Sequence, residues 1–266
     1  MRIVRLPGIH HDSNIVLVIG TLGCIIIDAG TSWYQALQVE RIKGILPDND
    51  DRNSTVDRIL LTSRRFPCSG GANFLSSEFD NCPVHIHYEG QSSLETGDFY
   101  TTWANRFDSD MPYTTTQSVS DGEVFVLGNG QICAMSLPGH STDSMAYYIP
   151  EKSLVVAGLL IPRADRPTRW DMPTGCLPDL ILSLQMLKKM NLDTIIPLQG
   201  PAIKGKKHVT KVISRHIEFF QECVARNGNT PKSWARPAQT ALWLTPHPPW
   251  PLEEREEINQ SSEDQA

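Results

Sequence analysis

The sequence predicts an α/β fold in which two β-sheets pack face to face and helices cover their outer sides. Strand-like segments rich in β-branched residues come in two runs, one in the first 90 residues and the other between residues 123 and 157. Segments with helical spacing of apolar residues follow each run. A sheet with one apolar face buries that face against another layer, so two such runs indicate two packed sheets.

The first run begins with a hairpin, because two β-branched segments, 15–19 and 24–27, are separated by the turn sequence GTLG. Apolar spacing predicts a helix over 33–46, which ends before Pro47 because the residue preceding proline disfavours helix. The rest of the run reads, in order, as a polar loop, a strand, a turn leading into an apolar segment, a second strand, and a polar stretch with a short helix: 47–55, 56–61, 62–75, 83–88 and 89–120.

The second run resumes after Asp121-Gly122 with four predicted strands: 123–127, 131–137, 145–149 and 153–157. A loop rich in proline and arginine follows, and then a helix, a strand and a last amphipathic helix that ends at Asn227-Gly228: 161–178, 179–190, 194–197 and about 209–226. These elements form one predicted domain over 1–230.

The remainder of the chain has a different composition. Residues 231–251 are rich in proline and carry Trp234, Trp243 and Trp250, which predicts an extended strap anchored on the domain by aromatic side chains. Residues 252–266 are acidic and predict a disordered tail.

The composition bounds the class of protein. A hydrophobic content of 40% and a charged content of 20% are those of a globular protein. The net charge of -6 argues against a nucleic-acid partner, and the lack of a run of about 18 apolar residues argues against a membrane span. Six scattered cysteines without a CxxC pair indicate reduced thiols, so the expected compartment is cytoplasmic.

Four motifs, in this order, resemble the metallo-β-lactamase superfamily: IIIDAG, LLTSRRFPCSGG, LPGHSTDS, and AGLLI followed by IIPLQGP. The similarity covers roughly residues 3–226 and is of the hydroxyacylglutathione-hydrolase-like kind. The resemblance implies a four-layer αββα sandwich with a zinc or iron site at one edge, between the two sheets.

The metal-ligand positions of that family depart from its pattern. The family motif T-H-x-H-x-D-H-x-G-G aligns with TSRRFPCSGG, in which the flanking Thr62, Gly70 and Gly71 match. The resemblance thereby assigns seven former ligand positions: Ser63, Arg65, Pro67, Cys68, His140, Leu159 and Gln199. Of these, His140 carries the usual residue, and Cys68 is the only other plausible donor.

A catalytic zinc needs about three protein ligands and a water, and leucine, proline and arginine side chains cannot supply them. The sequence therefore predicts no metal cofactor and a catalytically inactive homologue that acts by binding. Its partner would be another protein, a second copy of the chain or a small anionic ligand. The alternative is a thioester or ester hydrolase with an atypical metal site or a Cys68–His140 nucleophilic pair.

Arg65 defines a further hypothesis, because it replaces a histidine where relatives hold positive metal charge. It is predicted to form an anion site by bidentate hydrogen bonding. The alternatives are that Arg65 extends into solvent or pairs with a nearby carboxylate such as Asp28, and the neighbouring Arg64 is expected to point away.

Other chemistry-bearing residues have a structural interpretation. Asp28 is expected to bind loop amides, and His140 is either a remnant of the ligand set or an acid–base group. The remaining candidates are two histidine pairs, a basic cluster, and a loop bordering the cleft: His85 with His87, His10 with His11, Lys204, Lys206, Lys207 and Lys211, and Arg163, Arg166, Arg169 with Trp170.

Overall fold

The computed structural model describes residues 1–47 and 55–231, and the polar loop, the strap and the acidic tail predicted above lie wholly or almost wholly outside them. In the described residues the first half of the chain forms the strands β1 to β6 and the helices α1 to α4. Their bounds are β1 Arg2–Leu6, β2 Ile15–Ile19, β3 Cys24–Ile27, α1 Gln35–Lys43, β4 Val56–Leu60, α2 Phe66–Ser69, α3 Ala72–Glu78, β5 Val84–His87, α4 Tyr88–Glu95 and β6 Gln117–Val119.

The second half repeats the alternation of strands and helices. Its elements are β7 Val124–Val126, β8 Gln131–Ser136, β9 Met145–Ile149, β10 Leu154–Gly158, α5 Leu177–Lys189, β11 Thr194–Pro197, β12 Ile203–Lys204 and α6 Lys206–Ala225. Strands β1 to β6 form one sheet in sequence order, and strands β12 to β7 form the other in reverse order. The two-sheet fold predicted from the sequence is confirmed.

Three apolar clusters separate four layers. One cluster lies between the first sheet and its helices, and includes Val39, Ile42 and Leu75. The second lies between the two sheets, where Val18 and Tyr147 are buried. The third joins the second sheet to α5 and α6, which carry five and eight buried residues. These layers give the αββα sandwich.

Several elements differ from the sequence prediction. Helix α1 is shorter than 33–46, and α6 begins at Lys206 instead of residue 209. Three strands were not predicted at all: β1, β6 and β12. Strand β6 is mostly exposed and β12 has only two residues, so neither has the apolar alternation that identifies a strand.

The parallel pairs in the two sheets position the candidate site. Strand β3 runs parallel to β4, and β10 runs parallel to β11. The carboxyl ends of parallel strands meet at one edge, where Asp28, Thr62, Leu159 and Leu198 follow their strands. In the described residues, no helix is both long and apolar enough to cross a membrane.

Candidate functional site

A hydrogen-bonded junction between β3 and β4 fixes the floor of the site. Asp28 adopts a φ of 62° after β3, and its carboxylate accepts hydrogen bonds from Thr62 N at 2.8 Å and Thr62 Oγ1 at 2.9 Å. Burial raises the pKa of Asp28 to about 7, against the lowering effect of the Thr62 bonds. Gly158 ends β10 beside this junction, where a Cβ would lie 2.5 Å from Thr62 Cβ. Glycine is therefore needed for the second sheet to approach this closely.

The loop after β4 is tied to the second sheet by one carboxylate. Asp143 is fully buried and accepts hydrogen bonds from Arg64 N at 2.6 Å and Ser63 Oγ at 3.2 Å. Arg64 Nε lies 3.5 Å from Asp143 Oδ1. Burial acts to raise the pKa of Asp143, but the charges of Arg64 and Arg65 and the Arg64 amide hold it below its usual value. Asp143 is therefore an ionised carboxylate inside the protein.

Arg64 does not point away from the site, so that prediction is wrong. Its side chain is 6% exposed and donates to Glu89 O at 2.9 Å and Thr174 Oγ1 at 3.0 Å. The reason is Asp143, whose carboxylate attracts the guanidinium inward. Arg64 therefore joins the loop after β4 to the start of α4 and to the loop before α5.

The guanidinium of Arg65 is completely buried. Nη1 donates to Thr101 O at 2.5 Å, and Nη2 donates to Pro173 O at 3.2 Å and lies 3.3 Å from Met172 Sδ. The Trp103 ring covers this group, with its centroid 5.2 Å from Arg65 Cζ. Burial lowers the pKa of Arg65 to about 10, so the side chain is still cationic at neutral pH.

We call Arg64, Arg65 and Asp143 the arginine cluster. Arg65 does not extend into solvent, because its side chain is buried. Its hydrogen bonds go to carbonyl groups and not to Asp28, and the carboxylate whose charge acts on it is that of Asp143. Nη1 and Nη2 of Arg65 each donate a hydrogen bond to a backbone carbonyl group. Nε of Arg65 is buried without a hydrogen-bond partner in the described residues, and the anion site at Arg65 stays a prediction.

His140 lies in the same interior. Its Nδ1 is 3.0 Å from Arg169 O and 3.1 Å from Thr168 Oγ1, so Nδ1 carries the proton that a carbonyl acceptor requires. Burial, followed by the charge of Arg65, lowers its pKa to about 3. Nε2 is buried without a hydrogen-bond partner in the described residues. His140 is therefore a neutral imidazole whose remaining lone pair faces the interior.

Cys68 is embedded in apolar side chains. It packs with Leu159 and Leu198, and its Sγ lies 3.6 Å from Thr62 Oγ1. Burial and the nearby Asp28 raise the pKa of Cys68 well above its usual value. A thiol becomes a nucleophile when its pKa is lowered and a base is in reach. The raised pKa of Cys68 and the lowered pKa of His140, which makes His140 a weak base, work against a nucleophilic pair.

Pro67 and Gln199 also serve the fold. Pro67 lies in the first turn of α2, where its missing N–H is not needed, and Pro67 O accepts a bond from Ser13 N at 2.9 Å. Gln199 Nε2 donates to Asp12 O at 3.2 Å and His10 O at 3.3 Å. Both residues hold the loop between β1 and β2 against the edge of the sandwich.

The residues present do not fit the metal ions that the fold family implies. Within the described ranges, no group of three or more His, Cys, Asp or Glu side chains is placed to hold a metal. A guanidinium about 4 Å from a divalent ion would raise the energy by roughly 8 kcal/mol at an effective dielectric constant near 20. The arginine cluster therefore opposes cation binding at this edge.

The two histidine pairs named in the sequence have other neighbours. His85 and His87 are both buried, with His85 against Phe125 and His87 accepting a bond from Glu89 N at 3.4 Å. His10 bonds the Tyr34 hydroxyl at 3.0 Å, and His11 contacts Trp33. These histidine pairs therefore have structural contacts of their own.

The arginine-bearing loop is partly internal. Arg163 forms an exposed ion pair with Asp165, whereas Arg169 is buried, is ion-paired with Asp171 and lies 5.9 Å from the Trp103 ring. Trp170 packs on Phe220 of α6. Two participants in this interior, Asp143 and Trp103, were not predicted from the sequence. Asp143 is within the LPGHSTDS motif, but Trp103 is in a polar stretch that gives no signal.

Comparison with known proteins identifies the family. A model described as the metallo-beta-lactamase superfamily matches residues 9–199. This chain therefore belongs to the metallo-β-lactamase superfamily, as the sequence motifs predicted.

Two relatives are similar in sequence over different shares of their length. The probable metallo-hydrolase MJ0888 of Methanocaldococcus jannaschii is 29% identical over 205 residues, covering 74% of this chain and 92% of the relative. The human acyl-coenzyme A thioesterase MBLAC2 is 28% identical over 168 residues, and the match spans only 58% of its length.

Solved structures agree on the fold. TTHA1623, in a di-iron-bound form, matches with a TM-score of 0.63 at 24% identity, covering 80% of this chain and 98% of that one. The metallo-beta-lactamase family protein TTHA1429 from Thermus thermophilus matches with a TM-score of 0.67 at 17% identity, covering 84% and 81%.

Proposed function

We propose that this chain is a non-catalytic member of its superfamily that acts by binding, either to a protein partner or to a second copy of itself. The observation that carries the proposal is the buried Arg65 guanidinium, which takes the position of the second histidine of the metal motif. A permanent cation there replaces the charge of the metal without its Lewis acidity or its bound water.

The surrounding residues support the same proposal. Hydrolysis in this family needs an activated nucleophile. In the candidate pair, Cys68 is a thiol with a raised pKa, and His140 is a weak base because its pKa is lowered to about 3. The loop carrying Thr101 and Trp103 and the loop carrying Met172 and Pro173 close over Arg65. Cys68 and His140 are both buried beneath these loops and their neighbours.

A hydrolysis assay on the full chain tests the proposal. The relatives' names define the substrates, an acyl-coenzyme A thioester and a hydroxyacylglutathione, each assayed with and without added zinc or iron. We expect the unmodified chain to hydrolyse neither substrate faster than its His140→Ala and Cys68→Ala variants do.

Turnover by the unmodified chain that either variant abolishes would contradict the proposal. Loss in Cys68→Ala, independent of metal, would establish the nucleophilic pair. Loss in His140→Ala, together with a requirement for added metal, would establish an atypical metal site.

A further inference from the structure

A groove of about 540 Å³ opens between the two sheets at the edge where β1 and β12 lie, away from the arginine cluster. Its floor is apolar and belongs to the layer between the sheets, with Ile3, Leu154 and Ile196 as its main residues. Both sheets end at this edge, and neither of the two edge strands is paired on its outer side in the described residues. The groove is therefore an opening in the sandwich with an apolar base.

The rim of the groove is mainly cationic. Arg5, Lys152 and Lys204 line it, against the single carboxylate of Asp193. Arg5 is fixed in place, since its Nη1 donates to Asn14 Oδ1 at 3.0 Å and Gly200 O at 3.1 Å. Lys152 and Lys204 are exposed. The positive surface continues onto the first turns of α6 through three more exposed lysines: Lys206, Lys207 and Lys211.

The matching anionic segment is in the same chain. Residues 252–266, LEEREEINQSSEDQA, carry six acidic residues and one arginine, so they account for most of the chain's net charge of -6. Their two large apolar residues, Leu252 and Ile258, flank the densest acidic part. An apolar floor with a cationic rim suits a peptide of this composition.

The chain is long enough to make the connection. Helix α6 begins beside Lys204 and has 20 residues, so it carries the chain about 30 Å from the groove. Residues 232–252 can span up to about 70 Å when extended, which is more than the distance of about 30 Å from the end of α6 back to the groove. The proline-rich composition of 231–251 favours such an extended path.

We propose that the acidic segment 252–266 docks intramolecularly in this groove, with its carboxylates facing Arg5, Lys152 and Lys204. Its composition predicts disorder when free, and a segment of this kind orders when it binds a complementary surface. This proposal does not depend on whether the chain is catalytic.

Zero-length carbodiimide cross-linking of the full chain at low micromolar concentration, read by mass spectrometry, tests the proposal. In monomeric protein we expect Glu residues of 252–266 to link to Lys152, Lys204 and the adjacent lysines of α6. The ion pair of Lys43 with Glu78, at 3.0 Å between α1 and α3, shows that the reaction has worked. Lys43 also provides the spatial control, because it does not line the groove and should not link to the acidic segment.

Charge variants make the test specific. Lys204→Glu should lower the yield of links between the acidic segment and Lys152 about threefold or more, and Lys43→Glu should leave it unchanged. Adding Glu253→Lys and Glu254→Lys to Lys204→Glu should restore part of the contact, and high salt should weaken it.

Links spread evenly over Lys43 and the groove lysines, or no links to the segment while Lys43–Glu78 forms, would overturn the proposal. Links found only in covalent dimers would also overturn it, and would make a second copy of the chain the occupant.

Discussion

Arg65→Ala is expected to lower the free energy of unfolding by about 3 kcal/mol or more, because it leaves a cavity and removes two buried charged hydrogen bonds. The carbonyl groups of Thr101 and Pro173 would lose their donor, and the Trp103 ring would lose its cation. Equilibrium unfolding in urea, followed by circular dichroism and tryptophan fluorescence, measures the change.

Arg163→Ala is the matched control for this substitution. Arg163 is also an arginine with two hydrogen bonds to oxygen, but its side chain is 46% exposed. Ion pairs at such positions contribute about 0–1 kcal/mol. If Arg65→Ala proved as mild as Arg163→Ala, the guanidinium would not occupy the interior that the structure gives it.

Asp143→Asn is expected to cost about 3–5 kcal/mol, which is typical of removing one partner from a buried ion pair. Asparagine has nearly the same shape as aspartate and can still accept the hydrogen bond from Arg64 N. The loss of stability therefore measures the effect of the negative charge that faces Arg64 and Arg65. Asp165→Asn removes an exposed partner of Arg163 and should cost no more than about 1 kcal/mol.

The pH dependence of this difference has a definite sign. The pKa of Asp143 is lower in the folded than in the unfolded chain, where it is about 3.9. The stabilisation is therefore complete above the unfolded value and is lost as the pH falls towards the folded one. The difference between the unmodified chain and Asp143→Asn should be constant from about pH 5 to 7 and shrink below about pH 4. A difference that grows on acidification would contradict the assignment.

The layers could be predicted from the sequence because runs of β-branched residues, such as 15–19 and 24–27, are typical of buried strands. Strand β1 was missed because RIVRL carries an arginine near each end and is only partly buried. Its assignment depends on pairing with β2 over the register Arg2↔Ile19 to Leu6↔Ile15, which no local pattern reveals.

The sequence predicted which residues occupy the candidate site, but not which side chains they contact. The motif spacing identified Arg65 and His140, whereas the orientation of Arg64 depends on Asp143, a residue 79 positions along the chain. Likewise, Trp103 reaches the site from a left-handed backbone conformation, with φ 65°, in a stretch without apolar periodicity. Contacts between distant loops are set by the tertiary fold, and the sequence alone does not encode them in a local pattern.

The metal content of the full chain most directly tests whether the metal site of the family has been lost. The protein would be produced with zinc, iron and manganese in the medium, purified without chelators and analysed by inductively coupled plasma mass spectrometry, with TTHA1623 prepared in parallel as the metal-binding control. Because the buried cation of Arg65 takes one of the family's metal-ligand positions, we predict far less than one ion per chain. One or two ions per chain that are lost in His140→Ala would contradict the account.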